Sequence, residues 1–123
     1  MLVVDACAIA AVLFGEPDAE DIVAGIDGAP LAAPGLLWYE LASVCLKKIS
    51  VHPRAAKKLL EAFSLLDSLN ITAVSINHYE TVQLAHKYRL TVYDASYLWL
   101  ARYLRVPVVT PDKRLQRAAE KIL

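Results

Sequence analysis

The feature that most constrains the fold is a short apolar run at the start of the chain that ends in an acidic residue. Leu2, Val3 and Val4 form this run, whose length and β-branched character are typical of a strand buried on both faces of a parallel sheet. Asp5 ends the run, and small helix-forming residues follow it until Gly15. The carboxylate therefore stands at the carboxyl end of a strand, the edge at which parallel sheets bind ligands. Taken alone, Asp5 is explained equally well as the cap of the following helix.

Strand-like and helix-like segments alternate along the rest of the chain. Apolar runs predict further strands at 31–33, 71–76 and 106–109. Segments with helical spacing of apolar residues predict helices at about 16–28, 35–49, 53–69, 77–88, 94–105 and 110–122. The alternation predicts an α/β fold with a parallel sheet, and a length of 123 residues predicts a single domain over 1–123.

Two helices carry predictions about individual side chains. In the helix at 16–28, Ile22, Val23 and Ile26 are expected to face inward. In the last helix, Thr110 is the expected N-cap, with Pro111 as the first helical residue.

Composition limits the possible partners. The net formal charge is zero, so binding to nucleic acid requires local basic patches. One such patch, with Arg54, Lys57 and Lys58, lies on the helix at 53–69 and is either a solvated face or a track for phosphates. The hydrophobic fraction of 57% suggests a large core or an apolar surface held for a partner.

Cysteine usage and hydropathy exclude other classes. Cys7 and Cys45 form no CxxC pair and are expected to be buried, reduced thiols in a cytoplasmic protein. No His or Cys cluster has the spacing of a zinc site. We expect no signal peptide and no membrane span, because the first residues lack a basic segment and no apolar run reaches about 18 residues.

Four carboxylates have similar positions in the predicted elements. Asp5 and Asp112 follow strands, Glu40 lies beside the apolar face of its helix, and Asp94 starts a helix that is apolar nearly all round. Each alone has another explanation, as a helix cap or as a side chain turned toward solvent. Four together would repel one another and resist desolvation, and a bound cation relieves both problems. Oxygen ligands without His or Cys favour Mg²⁺ or Mn²⁺, which support phosphodiester hydrolysis.

Four motifs around these acids resemble those of one family. They are Val3-Val4-Asp5-Ala6-Cys7-Ala8, Tyr39-Glu40-Leu41-Ala42, Tyr93-Asp94-Ala95-Ser96-Tyr97-Leu98 and Thr110-Pro111-Asp112-Lys113-Arg114-Leu115. As a set they are similar to the motifs of PIN-domain ribonucleases, most of all the VapC-type toxins of prokaryotic toxin–antitoxin pairs. The resemblance implies a three-layer fold with a central parallel sheet of four or five strands. It also implies Mg²⁺- or Mn²⁺-dependent endonucleolytic cleavage of RNA, a homodimer, and a VapB-type antitoxin that covers an apolar groove.

By the same resemblance, the four acids are the catalytic residues and metal ligands, directly or through water: Asp5, Glu40, Asp94 and Asp112. Thr110 is a candidate partner for an acid or a phosphate. Lys113 and Arg114 are candidate phosphate contacts, or else solvated charges near a helix start. One position departs from the family pattern, because Cys7 stands where a Ser or Thr is usual, and a thiol is a weak hydrogen-bonding group.

Three other functions would place different requirements on these residues. A haloacid-dehalogenase-like phosphatase requires a second Asp two residues after Asp5, and Cys7 occupies that position. A dinucleotide-binding domain requires a glycine-rich turn after the first strand, which this chain lacks. A catalytically weakened or silent module that acts through partner binding stays open, because Cys7 and the high apolar content both fit it.

Overall fold

The computed structural model describes all residues from Met1 to Leu123 and contains four strands and seven α-helices. The strands are Leu2–Val4 (β1), Leu31–Ala33 (β2), Thr72–Ala73 (β3) and Val108–Val109 (β4). The helices are Ala6–Phe14 (α1), Ala19–Ile26 (α2), Leu36–Val51 (α3), Ala56–Ser64 (α4), His78–Tyr88 (α5), Val92–Leu104 (α6) and Lys113–Ile122 (α7). All strand pairs are parallel in the order β3-β2-β1-β4, which confirms the predicted α/β fold with a four-stranded parallel sheet flanked by helices.

Strand β1 lies at the centre of the sheet, between β2 and β4. Val3 is aligned with Ala32 on one side and with Val108 on the other. Val3 and Val4 are fully buried, as the β-branched run at the start of the chain predicts. Because neighbouring strands run in the same direction, the residues that follow β1 and β4 lie at one edge of the sheet.

Two groups of helices complete the core. Helix α1 packs against α2, α3 and α4, whereas α6 packs against α5, α7 and the strands β1 and β4. Seven consecutive residues of α6, from Ala95 to Ala101, are buried. The prediction that this helix is central, because it is apolar nearly all round, is therefore confirmed. No helix is both long enough and apolar enough to span a membrane.

Several predicted boundaries were wrong. The strand predicted at 71–76 is only Thr72–Ala73, an exposed strand at the sheet edge with one neighbour, and the strand predicted at 106–109 begins at Val108. The helix predicted at 53–69 is divided into α4 and two flanking 3-10 segments, Pro53–Ala55 and Leu65–Leu69. The left-handed Asn70, with φ of 53°, ends the second segment.

Three side chains also differ from the predictions. Thr110 does not cap α7, because the helix begins at Lys113 and the Asp112 side chain accepts the bonds from its first turn. Val23 is 55% exposed rather than turned inward, because only one face of α2 meets α1. Cys45 is buried as expected, but Cys7 is exposed, since the first turn of α1 borders a cleft.

Candidate functional site

The four acidic residues of the sequence motifs begin or border elements at the carboxyl edge of the sheet. Asp5 lies between β1 and α1, and Asp112 lies between β4 and α7. Glu40 is in the second turn of α3, and Asp94 is the third residue of α6. The order of the elements thus brings acids from four separate parts of the chain to this region.

Asp5 is the most buried of the four, with only 4% of its surface exposed. One carboxylate oxygen caps α1 by accepting from the Ala8 N–H at 2.8 Å, and the other accepts from the Thr110 hydroxyl at 2.5 Å. Burial raises the pKa of Asp5 to about 6, although both bonds act to lower it, and the charges of Asp112 and Glu40 raise it further. Asp5 is therefore both a helix cap and a desolvated acid.

Glu40 is held by a residue that sequence reasoning did not single out. The hydroxyl of Tyr97, a side chain that is 2% exposed, donates to Glu40 Oε1 at 2.6 Å. Burial raises the pKa of Glu40, the Tyr97 bond lowers it, and the charge of Asp94 raises it. Burial and the adjacent Glu40 carboxylate raise the pKa of Tyr97 well above its usual range, so Tyr97 remains a donor. The sequence signal was a phenol in the middle of a helix predicted to be central and buried, where a hydroxyl needs a partner.

Asp94 and Asp112 both contact Arg114. The Arg114 guanidinium donates to Asp94 Oδ2 at 3.0 Å. The Arg114 backbone N–H donates to Asp112 Oδ1 at 2.9 Å, as part of the α7 cap. Thr110 completes the connection, since its hydroxyl oxygen accepts from the Asp112 N–H at 3.0 Å while its hydrogen is donated to Asp5. Lys113, the remaining predicted residue, is exposed and forms no ion pair.

The Cys7 thiol lies close enough to all four acids for their charges to affect its pKa. Partial desolvation of the thiol beside the cleft, and the negative charges of all four acids, Asp5 most strongly, raise the pKa of Cys7 to about 11. Cys7, Glu40 and Asp112 line the same cleft, which has a volume of about 630 Å³. The structure therefore brings the acids into one electrostatic neighbourhood and keeps the thiol protonated at neutral pH.

The donor chemistry at this edge fits a hard divalent cation. The groups are carboxylate oxygens. Burial first, and then repulsion by neighbouring acids, raise the pKa values of Asp5 and Glu40, and a bound cation relieves both costs. The arrangement is not a ready-made ligand shell, however. No group of three or more His, Cys, Asp or Glu side chains is placed so that it could hold a metal ion.

Sequence comparison assigns the chain to a family. A family profile described as the PIN domain matches residues 2–121. The chain belongs to the PIN-domain family. PIN domains are generally nucleases and generally use divalent metal ions.

The fold of this PIN domain is similar to that of a solved structure, the crystal structure of PAE2754 from Pyrobaculum aerophilum. The TM-score is 0.69, and the match covers 99% of this chain and 88% of the other. The two sequences are 22% identical, so the likeness concerns the fold. No curated protein sequence matches this PIN domain.

Proposed function

We propose that this PIN domain is a Mg²⁺- or Mn²⁺-dependent endoribonuclease and the VapC-type toxin of a type II toxin–antitoxin pair. The observation that carries the proposal is the placement of the acids in a PIN domain: Thr110 links Asp5 to Asp112, and Glu40 and Asp112 line one cleft. Burial and nearby negative charge raise the pKa values of Asp5 and Glu40, so placing these two carboxylates here costs free energy that a bound cation would offset.

Asp5, Glu40, Asp94 and Asp112 are the residues that would hold the ion, directly or through water. When bound, the ion supplies an activated water and stabilises the leaving oxygen of the phosphodiester. Thr110 and Tyr97 fix the orientation of two of the acids without cancelling their charges, since both donors are neutral. Arg114 and Lys113, at the start of α7, are the proposed contacts for substrate phosphate.

As a toxin of this type, the protein would form a homodimer, bind a cognate VapB-type antitoxin and act in the cytoplasm. An apolar cleft of about 560 Å³ between α2 and the segment Leu65–Leu69 supports a partner helix, because its walls include Val12, Val23 and Ile26. An amphipathic helix binds such a groove through apolar side chains spaced three and four residues apart. The exposed Val23 side chain is the natural contact for that helix.

A cleavage assay tests the catalytic proposal. The purified chain is incubated with end-labelled RNA in Mg²⁺, in Mn²⁺ and in excess EDTA. We expect cleavage only with metal. We also expect Asp5→Asn and Asp94→Asn to lower the rate by at least about 100-fold, as loss of groups that hold or orient a metal does. The control is Asp67→Asn, which alters an exposed acid in the segment Leu65–Leu69. Cleavage that persists in EDTA would contradict the proposal.

A catalytically silent module that acts through partner binding is the second candidate. Cys7 in place of a hydroxyl and the lack of a ready ligand shell favour it. Both candidates predict that the chain co-purifies with the product of an adjacent small reading frame, and that Val23→Glu weakens this association. Only the nuclease predicts cleavage of RNA. Light scattering measures whether the chain dimerises. Failure to co-purify with any adjacent product counts against the toxin assignment.

A further inference from the structure

A second cleft, of about 530 Å³, lies between the carboxyl-terminal end of α5 and helix α7. We call it the basic cleft, because five cationic side chains line it and Glu120 is the one acid among them. The five are Lys87, Arg89, Arg114, Arg117 and Lys121. In a chain of zero net charge, this concentration of positive charge is local.

The cations of the basic cleft lie along its two walls. Arg114, Arg117 and Lys121 are spaced by three and four residues and so share one face of α7. Lys87 is in the last turn of α5, and Arg89 is the left-handed C-cap that ends this helix. The basic cleft therefore combines one face of α7 with the carboxyl-terminal end of α5, and all five of its cationic side chains are exposed to solvent.

Four of these five cations have no carboxylate partner. The protein contains only two ion pairs, Lys48–Glu16 and Arg114–Asp94. Lys87 lies over the ring of Tyr88, with its ammonium nitrogen 5.3 Å from the ring centroid. Unpaired cations that face one another across a cleft repel, and an anionic ligand would relieve that repulsion.

Arg114 joins the basic cleft to the acidic site. Its guanidinium lines the cleft and also donates to Asp94. Its side chain is 69% exposed and only one of its N–H donors is used within the protein, so donors remain for a phosphate. A strand that follows the basic cleft toward Arg114 thus arrives at the carboxylates.

We infer that the basic cleft binds the phosphate backbone of single-stranded RNA and leads it to the acidic site. The inference rests on the proposed function, because the RNA it describes is the substrate of that site. It also assigns RNA binding to the basic cleft rather than to the basic face of α4. Arg114 of the basic cleft bonds Asp94 of the acidic site, whereas Lys57 and Lys58 on α4 form no ion pair with any acid.

Fluorescence anisotropy tests the inference without catalysis. The probe is a labelled single-stranded RNA of about 12 nucleotides, in EDTA and in about 50 mM salt. The test variant is Arg117→Gln with Lys121→Gln, and the matched control is Lys57→Gln with Lys58→Gln. We expect the test variant to lose roughly two- to fivefold in affinity for each contact removed. The slope of log K against log salt should fall by about 0.7 for each contact. The control should bind like the original chain.

A gain-of-function variant sharpens the test. Glu120→Gln removes the only acid of the basic cleft and should tighten RNA binding by about twofold, the scale of one exposed charge interaction. Equal losses in the test and control variants, or no tightening in Glu120→Gln, would overturn the inference. Tighter binding of a poly-glutamate peptide than of RNA would also overturn it, in favour of an acidic protein partner.

The two proposals fail in different experiments. Absence of metal-dependent cleavage defeats the nuclease assignment but leaves the binding comparison intact. Normal cleavage together with unchanged binding by the Arg117 and Lys121 double variant defeats the basic cleft alone.

Discussion

The two halves of the acidic site hold their carboxylates in different ways. In the inner pair, Asp5 and Glu40, each acid accepts a bond from a neutral hydroxyl, supplied by Thr110 and Tyr97. In the outer pair, Asp94 and Asp112, both acids are bound by Arg114, through its guanidinium and its backbone N–H.

The difference shows how a neutral hydroxyl and a charged guanidinium affect the charge of the carboxylate that they bind. A neutral hydroxyl orients a carboxylate but leaves its charge in place, so the inner pair keeps its negative field, and burial raises the pKa values of both acids. A guanidinium cancels charge, so one acid of the outer pair is compensated within the protein itself. The inner pair therefore costs stability in the absence of a cation, whereas the outer pair does not carry the same cost.

The largest effect is expected for Asp5→Asn. Because burial raises the pKa of Asp5 from 3.8 to about 6, folding favours its protonated form. This contribution to stability is fully present below pH 3.8 and is lost as the pH rises through about 6. Ionised Asp5 then costs roughly 3 kcal/mol, so Asp5→Asn should be more stable than the original chain by up to about that amount at pH 8, and equal to it near pH 3.5.

Denaturant unfolding in EDTA at several pH values measures this difference. Subtracting the two chains at each pH cancels the titration of all other groups. The matched control is Asp112→Asn, a cap at which Asn serves as well as Asp, so a change of less than about 1 kcal/mol is expected. A difference between Asp5→Asn and the original chain that does not vary with pH would refute this account of the inner pair.

A smaller effect, in the opposite direction, is expected for Tyr97→Phe, which removes the donor to Glu40 and keeps the ring. A buried hydrogen bond to a charged group contributes about 1.5–3 kcal/mol, so the free energy of unfolding at pH 7.5 should fall by roughly that amount. Tyr103→Phe is the control, because that tyrosine lies on the same helix but is 66% exposed and stacks on Trp99. Equal effects of the two substitutions would show that the Tyr97 hydroxyl does not hold Glu40.

Arg114→Gln should change stability less, because its ion pair with Asp94 is largely exposed. We expect a loss of at most about 1 kcal/mol, which shrinks as salt is raised. Arg117→Gln, which breaks no ion pair, is the comparison. A loss above about 2 kcal/mol that does not respond to salt would mean that the outer pair is as desolvated as the inner pair.

The smallest effect on stability is expected for Cys7→Ser. The side chain is exposed, so the free energy of unfolding should stay within about 0.5 kcal/mol. The cleavage rate should rise roughly two- to tenfold, the equivalent of one added neutral hydrogen bond to a phosphate or a water. An unchanged rate with unchanged stability would show that the hydroxyl usual at this position has no part in the reaction here.

Most of the elements were predictable, and most errors were at their ends. The apolar runs fixed β1 and β2, and the seven buried residues of α6 follow from its continuous apolar character. The predicted strand at 71–76 was too long, because its residues pair with only one neighbour at the sheet edge. The N-cap prediction for Thr110 was wrong, whereas the prediction that its hydroxyl bonds an acid is confirmed by its contact with Asp5; sequence spacing did not show which acid.

What the sequence determined by itself is local: a buried strand that ends at Asp5, a helix that is apolar nearly all round, and acids at or near the ends of predicted elements. These follow from hydrophobic period and residue propensity, which act over a few neighbouring residues. Only the tertiary structure decided the partners, since Thr110 and Asp5 are 105 residues apart and Tyr97 and Glu40 are 57 apart. The physical reason is the strand order, because pairing β4 beside β1 brings Thr110 to Asp5, and no local pattern specifies which strands become neighbours.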